Sequence, residues 1–299
     1  MALAVTTIGF VGLGAMGLPM ARNLVARGHD VRGFDMRPAA IEALAEGGGT
    51  RAGSAAEAAR GADLLMLMVV NAAQAEQVMF ADGALAALAP GGTVVLFATC
   101  APGAVETLAV RVLATGRRFL DAPVSGGVVG ATGATLTIMA ASPRDTFDAA
   151  KPVLDALGDK VFHVGERPGQ GAVVKTVNQL LCGVHIAVIA EAFSLAAKVG
   201  VDLKILLEIM SGSAASSWML RDRGPRMLQA DPPVTSAVDI FVKDLGLVLQ
   251  AGGETKVALP LAAVAHQMFL ATSGRGDGAA DDSQVIRSYF AINGGPKPP

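Results

Sequence analysis

The sequence predicts an α/β protein in which an N-terminal doubly wound parallel sheet is followed by an all-α C-terminal domain. Three observations predict it. Apolar strand-like runs alternate with helically spaced segments over residues 1–165, a glycine-rich turn follows the first run, and beyond the turn-forming residues near 165 only helical patterns remain.

The strand-like runs are Thr7–Val11, Val31–Phe34, Leu64–Val70, Val94–Ala98, Arg118–Asp121, Thr135–Met139 and Lys160–His163. Between them, Pro19–Arg27, Arg37–Glu46 and Ala75–Leu88 carry apolar residues at helical spacing. Gly165, Pro168, Gly169 and Gly171 then punctuate the chain, which sets expected domains at 1–165 and 166–299. In the second domain, Leu180–Ala197 is apolar on nearly every face, interrupted chiefly by His185, Glu191 and Ser194. A helix hydrophobic all round must be surrounded, so it is expected between domains or in a subunit interface, which implies a homo-oligomer. The Gly-Gly-Pro-Lys-Pro-Pro ending reads as a loose tail.

Met1–Ala21 holds no charge, yet four glycines between positions 9 and 17 and Pro19 fit neither a signal peptide nor a spanning helix. Hydrophobic residues make up 52% of the chain and charged residues 17%, as buried parallel sheets and close-packed helices require. A net charge of −2 offers no basic field for nucleic acid or an anionic membrane surface. Cys100 and Cys182 lie far apart in apolar stretches, which favours free thiols in a reducing, cytoplasmic setting. The four scattered histidines show no metal-ligand spacing, so no metal site is expected.

Gly12-Leu13-Gly14-Ala15-Met16-Gly17 forms G-x-G-x-x-G after the first strand-like run. Gly12 permits the tight turn, Gly14 leaves room for a pyrophosphate against backbone, and Gly17 lets strand and helix pack closely. The following helix start offers N–H groups and a positive dipole end to phosphates. Asp35 follows Gly17 by 18 residues, where an acid would meet the ribose hydroxyls and disfavour a 2′-phosphate, although Arg37 is near enough to soften that preference. A close-packed turn without a ligand is the alternative.

Lys175, Asn178 and Gln179 are spaced i, i+3, i+4 and share one helix face. Desolvation lowers a lysine from its ordinary pKa of ~10.4, which suits it to acid/base work, whereas a snorkelling surface lysine reads equally well here. In Ser125-Gly126-Gly127, a hydroxyl and backbone N–H groups could hold a carboxylate, or merely end a strand.

Four segments in order, Gly9–Ala21, Asp121–Ala131, Gly169–Gln179 and Phe241–Leu245, resemble the 3-hydroxyisobutyrate (β-hydroxyacid) dehydrogenase family over essentially the whole chain. The resemblance implies a Rossmann domain, an all-helical substrate and oligomerisation domain, dimers or tetramers, and NAD with NADP possible. It implies Lys175 as catalytic acid/base, with Ser125, Gly126 and Gly127 on the substrate carboxylate and Asn178 and Gln179 orienting the reacting oxygen. It places Val69, Val70, Thr99 and Lys243 at the cofactor. Gln179 stands where the family commonly has a second Asn, Leu96 and Ala98 replace an acid and a serine, and Val70-Asn71 replaces Pro-Asp. Asn178–Ile186, Ser217–Met219 and Ala237–Asp244 resemble a narrower branch that oxidises four-carbon sugar acids, notably L-threonate, with NAD. His185 and Trp218 could shape its pocket or simply pack. The expected activity is therefore oxidation of such an acid to its 2-oxo acid. The alternatives are 3-hydroxyisobutyrate oxidation and tartronate or succinic semialdehyde reduction. An imine reductase would carry Asp or Tyr at Lys175, and a non-catalytic binding module would lack the lysine.

Overall fold

Strand β1 (Thr7–Val11) lies inside a nine-stranded sheet in the computed structural model, which describes residues 5–294. The expected C-terminal tail falls, beyond Gly294, outside the described residues. The remaining strands are β2 (Asp30–Phe34), β3 (Thr50–Arg51), β4 (Leu64–Leu67), β5 (Thr93–Leu96), β6 (Arg118–Asp121), β7 (Val124–Ser125), β8 (Thr137–Ala141) and β9 (Lys160–Gly165). Their order is β3-β2-β1-β4-β5-β6-β8-β7, with β9 also paired to β8. The chain winds outward from β1 to β3, then returns to place β4 on the other side of β1. The glycine turn thus sits at the topological switch point, beyond the carboxyl end of β1, where open α/β sheets bind ligands.

Alternation along the strands explains why both sheet faces are buried. Phe10, Met66, Val95 and Leu120 face one apolar layer, and Val11, Leu67, Val94 and Phe119 the other. β1, β2, β3, β4, β5 and β6 run parallel, but β8 is antiparallel to β6 and β7. After β7, helix Gly127–Gly133 returns the chain so that β8 pairs antiparallel with both β7 and β6.

Several expected elements shift. The run expected to be a strand to Val70 stops at Leu67, because Val70 is exposed and gains nothing from pairing. The expected Thr135–Met139 strand is β8, two residues on. The single helix expected over Ala75–Leu88 is broken into Ala72–Glu76, a π turn at Gln77–Ala81 and Ala84–Ala87, because Gly83 takes φ +75°.

Compact packing divides the chain into Met1–Lys175 and Thr176–Pro299. The second unit is helical, comprising the remainder of Gln170–Lys198 and helices Leu203–Ser211, Trp218–Met227, Val238–Thr255, Pro260–Thr272 and Ile286–Asn293. Its core is built from Ile186, Phe193, Phe241, Leu245, Phe269 and Phe290. Gly183 is needed there, since a Cβ would lie 2.7 Å from Leu245 Cδ2. Gln170–Lys198 is long and apolar enough to cross a membrane by length and composition, with mean hydropathy 2.0. Its Ile186, Ile189 and Phe193 are instead spent on that core. A buried ionic cluster also holds the unit. Arg223 forks onto both Asp282 oxygens at 2.8 Å, and Arg226 reaches Asp281 at 2.8 Å, with Asp222 between the two arginines.

Candidate active site

The glycine turn is shaped by its neighbours. Gly12 has φ +95°, and a Cβ on it would lie 2.3 Å from the Met68 carbonyl oxygen. A Cβ on Gly17 would lie 1.8 Å from the Gly12 oxygen, whereas one on Gly14 would meet nothing nearer than Arg37 Nη2 at 3.8 Å. The space over Gly14 is therefore open backbone. Leu13 is buried, Met16 is half-buried, and Ala15 is exposed at the tip. Helix Gly17–Ala26 starts with no side-chain cap, but Leu18 N–H bonds the Gly14 carbonyl, Met20 N–H bonds the Met16 carbonyl and Pro19 has no N–H, so what this helix start offers an anion is its positive dipole end.

Asp35 lies under this turn. Its Oδ2 accepts the Leu13 N–H at 2.8 Å, and its Oδ1 accepts Arg37 N–H at 2.9 Å and Arg37 Nε at 3.1 Å. Arg37 Nη2 returns to the Leu13 carbonyl at 3.1 Å. Burial opposes ionisation, but the Arg37 and Leu13 hydrogen bonds outweigh it and hold the carboxyl below its ordinary value. An open Gly14, an uncapped helix start and an ionised acid make a set that fits a dinucleotide. Val69 is half-buried beyond β4, and Val70 is exposed with its N–H on Gln74 at 2.9 Å. Thr99 is half-buried shortly after β5.

Ser125 ends β7, paired with Thr137 of β8. Gly126 and Gly127 follow with φ +130° and +61°, conformations that L side chains rarely adopt. Successive N–H groups in such turns form a concave anion cradle. Helix Gly127–Gly133 opens there without a side-chain cap and is tied to the glycine-turn helix, where Asn23 Nδ2 donates to the Ala131 carbonyl at 2.7 Å.

Lys175 lies on Gln170–Lys198, only 8% exposed. Ahead of it, the buried Asp121 accepts the Gly169 and Ala172 N–H groups, each at 2.9 Å. In the second unit, Asn178 Nδ2 donates to Gln179 Oε1 at 2.9 Å, and Gln179 Nε2 donates to Asp244 Oδ2 at 2.5 Å. Lys243 donates to the other Asp244 oxygen at 2.5 Å. Asp244 thus joins the amides to Lys243. Asp121 and Asp244 lie inside the Asp121–Ala131 and Phe241–Leu245 segments, and neither stands out there as a site residue. Their positions beside the serine loop and next to Lys243 were the available signals. His185 is half-buried, and Trp218 is 48% exposed at the start of its helix. Cys100 and Cys182 form no disulfide, and Cys182 Sγ accepts from Asn178 Nδ2 at 3.5 Å.

The turn at the switch point, its ionised acid and the lysine-bearing helix define an NAD(P)-dependent oxidoreductase. Comparison with known proteins agrees. The sequence model for the NAD-binding domain of 6-phosphogluconate dehydrogenase matches residues 7–165, and that for the NAD-binding region of NADP-dependent 3-hydroxyisobutyrate dehydrogenase matches 169–289. L-threonate dehydrogenase of Cupriavidus necator is 44% identical, covering 95% of this chain and 96% of that protein, and that of Escherichia coli K12 is 40% identical with 95% of each covered. A crystal structure of 3-hydroxyisobutyrate dehydrogenase from Salmonella typhimurium superposes with TM-score 0.89 at 41% identity, covering 93% and 98% of the two chains. The chain belongs to the 3-hydroxyisobutyrate dehydrogenase family, whose members act on CH–OH groups with NAD(P).

Proposed function

We propose that the protein oxidises L-threonate or a close four-carbon sugar acid at its C2 hydroxyl to the 2-oxo acid, using NAD. The observation that carries this reading is the similarity, end to end, to relatives named L-threonate dehydrogenase. The amide chain Asn178–Gln179–Asp244 supports it, because a site lined by such groups suits a substrate rich in hydroxyls.

In this reading Ser125 and the N–H groups of Gly126 and Gly127 hold the substrate carboxylate. Asn178 and Gln179 orient the reacting hydroxyl. Lys175 Nζ takes the hydroxyl proton as the C2 hydride leaves, and returns a proton in the reverse direction. The nicotinamide supplies the hydride acceptor. Gly12, Leu13, Gly14, Ala15, Met16 and Gly17 would hold the pyrophosphate and Asp35 the adenosine ribose. Val69, Val70, Thr99 and Lys243 complete the cofactor's surroundings. The ionised Asp35 favours NAD over NADP.

The first 165 residues would bind cofactor, and residues 166–299 would serve substrate and oligomerisation. Val174, Leu181, Val188 and Leu195 are exposed at seven-residue spacing along one helix, an apolar stripe that a homodimer or homotetramer would cover. A cytoplasmic enzyme fits cysteines that are not joined in a disulfide.

A screen of three- and four-carbon hydroxy acids with both cofactors tests the reading. L-threonate with NAD should give the highest kcat/KM, and Lys175→Ala should lower kcat about 10²-fold or more. Efficient turnover of 3-hydroxyisobutyrate with four-carbon acids ignored would overturn the substrate assignment, and the similarity to the Salmonella protein makes that the rival to include.

A further inference from the structure

Asp121 ends β6, four residues before Ser125, with its side chain fully buried. Its Oδ2 accepts the N–H groups of Gly169 and Ala172, the start of the helix that carries Lys175. Its Oδ1 is buried without a hydrogen-bond partner. A Cβ on Gly171 would lie 3.0 Å from Asp121 Oδ2 and 2.4 Å from the Met139 carbonyl oxygen, so the helix start is pressed against β6 and β8. A helix is ordinarily capped by the residue just ahead of it, and here that residue is Gly169. The capping is done instead by a carboxylate 48 positions earlier. Gly169 takes φ +96°, and a Cβ on it would lie 2.8 Å from Glu106 Cγ, so a capping side chain does not fit at that position. What only the distant carboxylate provides is registry between the strand and the helix.

We propose that Asp121 is a positioning residue: its carboxylate fixes the first turn of the Gln170–Lys198 helix, and through it Lys175, against the strand that leads into Ser125-Gly126-Gly127. The proposal rests on the reading of Lys175 as the acid/base. Charge-assisted N–H···O⁻ bonds are roughly twice as strong as neutral ones, and the helix dipole adds to them.

Burial pushes the Asp121 carboxyl up to about 6, against the pull of the backbone N–H groups. As pH falls through that value the acid takes up a proton, for which the unpartnered Oδ1 is the available site, and Oδ2 becomes a weaker acceptor. The clamp then loosens. The elements packed on β6 hold few competing groups. Helix Pro102–Leu113 brings Glu106 beside Gly169, with Arg111 turned to Glu76. Helix Arg144–Leu154 carries Arg144, Asp145, Asp148 and Lys151; Arg144 pairs with Asp148 and Lys151 with Asp155, all exposed, and Asp145 bonds Thr146. Glu166 and Arg167 precede the helix, Lys175 follows on it, and His163 of β9 bonds the Ser142 carbonyl. β5 and β8 bring no titratable side chain.

The test is the pH dependence of kcat for reduction of the 2-oxo-tetronate by NADH, from pH 5 to 8. In this direction Lys175 must be protonated, so acid leaves it competent and a loss at low pH reports another group. Wild-type kcat should fall about fivefold to tenfold from pH 7 to pH 5. Asp121→Asn should be at least tenfold slower at pH 8, show no such fall, and bind NADH within twofold of wild type. A wild-type profile flat from pH 5 to 8 overturns the proposal even if the variant fails to fold, as does a variant with wild-type kcat and profile. Lys175→Ala separates the two readings. If it is inactive while Asp121→Asn behaves as wild type, the positioning role falls and the acid/base role stands. If it keeps wild-type kcat, both fall.

Discussion

Gly14→Ala and Gly17→Ala should have opposite consequences, although they are three residues apart in one turn. At Gly14 the added methyl enters open space, with Arg37 Nη2 at 3.8 Å, and the backbone is outside the left-handed region. Restricting the unfolded chain then stabilises by about 0.4–1 kcal/mol. The melting temperature of the free protein should stay level or rise by about 1–4 °C. The same methyl occupies the space a pyrophosphate needs. Loss of one charge-assisted hydrogen bond costs about 1.5–3 kcal/mol, which is about 10- to 150-fold in NAD affinity. At Gly17 the methyl falls 1.8 Å from a backbone oxygen, so strand and helix must separate. That costs about 3 kcal/mol or more, or about 6–12 °C. Scanning calorimetry without cofactor and calorimetric titration with NAD measure both quantities. If Gly14→Ala binds NAD as tightly as wild type, the turn does not cradle the pyrophosphate. A large drop in its melting temperature would show that the space over Gly14 is not open.

Arg223→Met should destabilise the protein by about 3–5 kcal/mol by leaving Asp282 buried and unpaired. Burial already raises the Asp282 pKa, so the folded variant binds a proton more tightly than the unfolded chain, and its deficit should shrink as pH falls; a deficit independent of pH in chemical denaturation would refute this. Steady-state kinetics should give a higher kcat/KM with NAD than with NADP, and the reverse order would remove Asp35 from the role of cofactor filter. Gln179→Asn shortens the reach to Asp244 and should erode the preference for four-carbon acids over 3-hydroxyisobutyrate more than it weakens NAD binding, which paired kcat/KM and titration measurements would decide.

The glycine turn, the central strands and the long apolar helix were legible because each is written in a local signal. β1 is a short apolar run ending at Gly12, and the all-round apolarity of Leu180–Ala197 reads directly off the residues. The two-residue strands β3 and β7 are too short to show a period. The break at Gly83 was masked by helical spacing on both sides of it. The reversal of β8 depends on pairing, which composition does not encode. At the candidate site, spacing on one helix linked Asn178 to Gln179, but the carboxylate that ties them to Lys243 is 65 positions from Gln179. Asp121 is hidden by the same distance in sequence, since nothing near it announces that a helix 48 residues on needs a cap.

Asp35 couples two traits that engineering would prefer to change separately. Its carboxylate is the group proposed to meet the adenosine end of the cofactor, and it is also a strut that holds Leu13 and Arg37 in place. A substitution made to admit a phosphorylated ribose would also slacken the turn proposed to hold the pyrophosphate. Arg37 offers a gentler route, since it is largely exposed and already bonds the Leu13 carbonyl. A lineage moving between the two cofactors would therefore meet fewer inactive intermediates by strengthening positive charge around Arg37 first and relinquishing the aspartate last.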